Sequence, residues 1–67
     1  MKINKQGVKR YLRGHLITYK MLSKLLNIEQ SSMRKKIDGT RPLKDEEWAI
    51  IIRHYPSLRY YEIKERN

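Results

Sequence analysis

Sixty-seven residues with a formal charge of +9 and no cysteine allow one small hydrophobic core, unsupported by disulfides or thiolate metal sites. A chain this short buries only about 60% of the surface it exposes when unfolded, so helix packing, a dimer interface or a ligand must complete its stability. Its longest aliphatic run, residues 49–52, is far too short to cross a bilayer and no signal-peptide pattern opens the chain, so a cytoplasmic protein without membrane contact is expected.

The first helix is expected over about residues 4–13, with Val8, Tyr11 and Leu12 on one face and Gly14 as a left-handed stop. Gly7 opposes it, since glycine inside a helix costs on the order of 1 kcal/mol relative to alanine. Thr18 can cap a second helix whose Ile17 and Leu22 form a hydrophobic staple and whose Leu22, Leu25 and Leu26 make one stripe. Asn27 tolerates the positive φ needed to leave that helix. A third helix from Glu29 or Gln30 to Ile37 places Met33 and Ile37 inward, leaves Gln30, Ser31, Arg34 and Lys35 outward, and stops at Gly39. A fourth opens on Asp45, Glu46 and Glu47, acids suited to the positive end of the helix dipole, buries Trp48, Ile51, Ile52 and Tyr55, and ends at Pro56. Ile50 points away from that face and is a candidate dimer contact. A short last helix over 57–65 would use Leu58 and Tyr61, with fraying beyond it.

β-Branched residues nowhere alternate with polar ones, so strands find no support. The expected fold is all-α, a compact domain of four to five helices over 1–67. A helix-turn-helix lies at about 18–38 and C-terminal helices at about 45–65.

The charge is lopsided. Residues 1–41 contain eleven Lys or Arg against Glu29 and Asp38, whereas residues 42–67 contain five basic and five acidic side chains. The entire excess therefore lies in the half of the chain that contains the helix-turn-helix, as a surface facing phosphates requires; a solvated charged face would show the same count.

Catalytic chemistry finds little to build on. His15 and His54 have no Cys or acidic partner at ligand spacing, so no metal is expected. Phosphate loops, paired carboxylates and nucleophile elbows are missing, and Tyr60-Tyr61 lacks an accompanying Arg/His constellation. Neither an enzyme nor a cofactor is expected.

The run LLNIEQSSMRKKIDGTRPL at residues 25–43 resembles the Cro/C1-type family of phage repressors and the related bacterial XRE regulators, especially versions with Lys-Ile-Asn/Asp-Gly after the recognition helix. The likeness spans about residues 17–55. It implies a lambda-repressor-like fold in which Thr18 is a cap, Leu22 and Leu26 are core, Ser23 fills a slot usually held by alanine, and Asn27 stands where glycine is commonest. It further implies that the third helix reads the major groove through Gln30, Ser31, Arg34 and Lys35. Glutamine suits adenine, a serine hydroxyl either strand, and Arg or Lys the O6/N7 edge of guanine, each good bidentate pair contributing about 1–3 kcal/mol of discrimination. Phosphate contacts would come from Tyr19, Lys20, Thr40 and Arg41, with Lys9 and Arg10 adding attraction without sequence information. Lys24 and Lys36 fit solvated charges equally well. Two positions depart from the family pattern. Glu29 replaces the usual Ser or Thr cap and brings a negative charge towards DNA, and Lys36 takes a place that is often apolar, beside Ile37.

The leading expectation is a phage- or prophage-type Cro-like repressor in a bacterial cytoplasm, associated with the nucleoid. It would bind a roughly palindromic DNA operator as a homodimer and sense no small molecule. One alternative is a helix-turn-helix module that binds another regulator or polymerase, motivated by Glu29 and by Ile50 and Leu58. Another is an excisionase-type accessory factor that bends DNA.

Overall fold

Asn4 starts the first helix. Its side-chain oxygen accepts the Gly7 N–H at 3.1 Å, satisfying one of the amides that a helix leaves unpaired at its amino end. This computed structural model describes residues 2–63. The elements are α1 (Lys5–Gly14), α2 (Tyr19–Leu26), α3 (Gln30–Asp38), α4 (Asp45–His54) and a 3-10 helix over Pro56–Tyr61. The all-α expectation holds. Within the described residues the extended backbone pairing is one isolated antiparallel bridge between Ile3 and Glu62, flanked by Asn4 N–H to Tyr61 C=O at 2.8 Å and Ile63 N–H to Lys2 C=O at 3.0 Å.

That bridge corrects the expected last helix over 57–65. Tyr55, at φ −131° and ψ 74° ahead of a proline that disfavours helical backbone in the residue before it, leads into a tight 3-10 run, which ends where Asn4 and Lys2 take up the Tyr61 carbonyl and Ile63 amide. Residues 64 and 65 lie outside the described residues.

The first three helices are stopped by left-handed residues, namely Leu16 (φ 57°), Asn27 (φ 55°) and Gly39 (φ 90°). The same pattern closes α1 and α2: Ile17 N–H reaches Leu12 C=O at 2.8 Å and Ile28 N–H reaches Ser23 C=O at 3.0 Å, consuming carbonyls that would otherwise be unpaired. Asn27 and Gly39 act as the sequence implies, but Gly14 does not. It remains inside α1, and the stop falls two residues later. The reason is Ile17, the apolar residue that this turn folds back to pack with Leu12 in the core; a stop at Gly14 would have put His15 in that place.

The core comprises Ile3, Val8, Leu12, Ile17, Leu22, Met33, Ile37, Leu43, Trp48, Ile51 and Leu58. Trp48 is 1% exposed, and its indole N–H finds Glu62 Oε2 at 2.7 Å, as a buried Trp requires. Leu58 overturns an expectation: a candidate partner contact in the sequence, it has no exposed surface, because the 3-10 helix packs against both α1 and α4. Ile50 is half-buried.

Two backbone positions make opposite predictions. Gly7 is buried, and a Cβ there would fall 2.6 Å from Cε1 of Tyr61. Gly7→Ala should therefore destabilise the fold by about 1–2 kcal/mol despite alanine's better helix propensity, because overpacking outweighs it. Leu16 is 84% exposed in a conformation that costs a side-chain-bearing residue about 1–2 kcal/mol, so Leu16→Gly should stabilise by up to about 1 kcal/mol after the greater unfolded-state entropy of glycine is counted. Urea denaturation of the two variants against the parent checks both signs.

Candidate nucleic-acid interface

Met33 and Ile37 are fully buried, so the opposite side of α3 must face outward. Gln30, Ser31, Arg34 and Lys35, at i, i+1, i+4 and i+5, are all exposed, as the sequence implies. Glu29 occupies the N-cap without a side-chain cap hydrogen bond, which leaves its carboxylate at the tip of the same face. The turn holding α3 to α2 is tight. Ser23 is buried at 5% exposure and returns its hydroxyl proton to the Lys20 carbonyl at 2.8 Å, so this small residue lies in the core without an unpaired polar atom.

At the start of α2 the Thr18 hydroxyl accepts the Met21 N–H at 3.2 Å, while the Thr18 N–H is held by Met21 Sδ at 3.5 Å. Tyr19 is half-buried and Lys20 exposed. A groove of about 360 Å³ joins this helix start to the tips of its neighbours and is lined in part by Lys9, Arg13, Thr18, Tyr19 and Gln30. It therefore unites three of the expected residues, Lys9, Tyr19 and Gln30, and adds Arg13. Arg10 sits one step further round α1, in a shallower groove with Gln6, Lys9 and Arg13.

The other end of α3 has its own basic groove, about 340 Å³, with Lys2, Lys5, Lys36 and Arg41 among its walls. The Lys5 side chain lies over Gly39, where a Cβ would be 2.5 Å from its Cε, so a cation meets the negative end of α3. Thr40 is exposed but turned back onto the end of α3: its N–H and hydroxyl both meet the Lys35 carbonyl, at 3.0 and 3.3 Å. Of the expected pair after α3, Arg41 is thus the one whose side chain lines the groove.

Two cations expected to be solvated or loosely attractive are ion-paired instead. Lys9 Nζ lies 2.6 Å from Asp38 Oδ1, and Arg34 Nε lies 3.9 Å from Asp38 Oδ2. Lys36 Nζ meets Glu47 Oε1 at 2.9 Å, with the two side chains only 12% and 17% exposed, and also the Pro42 carbonyl at 3.2 Å. Glu47 Oε1 accepts the Lys44 N–H at 2.9 Å as well, so one carboxylate starts α4 and fastens it to α3. Lys36 can occupy an otherwise apolar position because α4 supplies its counter-charge.

Sequence reasoning missed Lys5, Arg13 and Asp38. Lys5, Lys9 and Arg13 recur at i, i+4 and i+8, the spacing of one helix stripe; the stripe meets Gly39 at one end, Asp38 in the middle and the Gln30 groove at the other. Among the described residues no three His, Asp or Glu side chains are grouped to hold a metal ion, and no helix is long and apolar enough to cross a membrane. No family model, curated protein or solved structure matches this chain.

The hydrogen bond from Lys9 and its positive charge hold the Asp38 carboxyl below its ordinary 3.8. Burial raises Glu47, but the Lys44 N–H and the Lys36 ammonium outweigh it and leave the group below its ordinary 4.5. Both carboxyls thus bind protons less readily folded than unfolded. Their stabilisation is complete above the ordinary values and is lost as pH falls through the lower folded-state ones. Denaturant titrations from neutral pH downward should show stability declining below about pH 5, less steeply in Glu47→Gln.

Proposed function

We propose that the chain is a small sequence-specific DNA-binding regulator, with α3 as the helix that enters the major groove. The observation that carries this reading is the stripe Lys5-Lys9-Arg13 running beside α3, with Gln30, Ser31, Arg34 and Lys35 exposed between cationic grooves at its two ends. A duplex presents just such a demand: negative phosphates on both walls of a groove about 12 Å wide, and a donor and acceptor pattern at its floor. An α3 of nine residues is about 13 Å long, so clusters at its ends are spaced to meet opposite walls. The resemblance to Cro/C1-type repressors supports the same reading.

On this reading Gln30 and Ser31 meet base edges first and Arg34 and Lys35 one turn later. Tyr19, Lys20, Arg13 and Arg41 fix the register through phosphates. Two copies on a near-palindromic site would set their α3 helices roughly 34 Å apart, and occupancy of a promoter would exclude polymerase. The alternative of a protein-binding module loses one of its supports, since Leu58 is buried.

The test is anisotropy titration against a duplex selected from a random library and against a scrambled one, over a range of salt. A preference of at least about a thousandfold establishes a specific regulator; equal binding of all duplexes refutes base reading. Gln30→Ala is expected to erode the preference while sparing scrambled-duplex affinity. Arg41→Ala should weaken both and lower the slope of log K against log salt by about one.

A further inference from the structure

Asp38 is an acid in the wrong place twice over. It closes the last turn of α3, where the helix dipole disfavours negative charge, and it sits among Lys9, Arg34 and Lys5, on the part of the molecule with the greatest positive excess. Any duplex approaching α3 would be repelled by it. Nothing in the packing demands it: the side chain is 35% exposed and the buried anchors of α3 are Met33 and Ile37.

What Asp38 does contact is informative. Its two oxygens face two cations from different elements, Lys9 of α1 at 2.6 Å and Arg34 of α3 at 3.9 Å. A carboxylate bridging an ammonium and a guanidinium occupies the position that a phosphate oxygen would take between them. We propose that Asp38 acts as an internal substitute for phosphate that restrains duplex binding. It holds Lys9 and Arg34 along α3 in the unbound protein and makes any duplex compete for them. This rests on the DNA-binding reading and adds a direction to it.

The consequence follows from counterion release. Nonspecific binding draws its affinity from cations that neutralise phosphates. A duplex engaging Lys9 must first displace Asp38, so the yield from that cation is small on any sequence. A correct site that engages the same cations meets the same free-energy cost, so its affinity falls by the same factor. Binding to any duplex is thereby restrained without any contact between Asp38 and a base.

The experiment compares the parent, Asp38→Asn and Glu46→Gln on a scrambled 20-base-pair duplex and on the duplex selected with the parent. Glu46→Gln makes the same change in net charge on α4, away from this cluster. Asp38→Asn is expected to tighten binding of both duplexes at least about fivefold and to raise the salt slope by about one, leaving the specific-to-nonspecific ratio within about twofold, while Glu46→Gln changes affinity and slope far less. Lys9→Ala should cost more scrambled-duplex affinity in the Asp38→Asn background than in the parent, a coupling that a purely structural ion pair does not produce. Circular dichroism and urea midpoints confirm that each variant is folded. If the parent binds no duplex in a salt-dependent way, the DNA-binding reading itself falls. If the parent binds but Asp38→Asn is unchanged or weaker on the scrambled duplex, or matches Glu46→Gln, the role assigned to Asp38 is overturned and the DNA-binding reading stands.

Discussion

The seating of α3 governs most of what this chain presents to its surroundings. Met33 and Ile37 stand one helical turn apart, are wholly enclosed, and between them leave α3 a single rotational setting about its axis. Turning it by one residue, about 100°, would bring Arg34 or Lys36 towards an apolar interior and expose an anchor. Either change is costly, since an unpaired buried charge is among the least tolerated features of a protein core. The orientation of the four polar residues on the far side is thus enforced from within, with α1 and α2 packed against α3.

Charge is managed around that helix rather than removed. Asp38 at the end of α3 and Glu47 of α4 are each committed to cations at short range, one pair more than a third exposed and the other largely enclosed. The exposed pair contributes little to stability, as surface ion pairs do. The enclosed one fixes α4 against α3 and keeps Lys36 from being an orphan charge. Similar chemistry therefore has different consequences, depending on how much water each pair retains.

Much of this was legible in the sequence. Thr18, Asn27 and Gly39 mark helix ends through chemistry local to each residue, and the three- and four-residue spacings of Met33 with Ile37 and of Trp48 with Ile51 and Ile52 depend only on helix geometry. What could not be read depended on distant residues. Leu16 takes a backbone conformation that glycine favours because Ile17, one residue on, has a core to reach. Gly7, which looks like a defect in a helix, is needed because Tyr61 lies across it. Leu58 looked available for a partner because nothing local shows that a 3-10 helix will fold it under α1 and α4. The outward residues of α3 were legible for the same reason that its anchors were, whereas the stripe of Lys5, Lys9 and Arg13 acquires meaning only when α1 is laid beside α3.

The bridge between Ile3 and Glu62 has a bearing on how the molecule is made. Its two sides are about sixty residues apart, in a fold whose other contacts are mostly short in sequence, and loops of that span close last and at the greatest entropic cost. During synthesis Ile3 precedes Glu62 by almost sixty residues, so their bridge waits until the segment carrying Leu58 and Glu62 leaves the ribosome. The indole N–H of Trp48 waits for the same segment. The helices around α3 can assemble beforehand, but the floor of the core is sealed only with that segment, so a nascent chain stalled before residue 58 would expose the apolar surface that chaperones and proteases recognise.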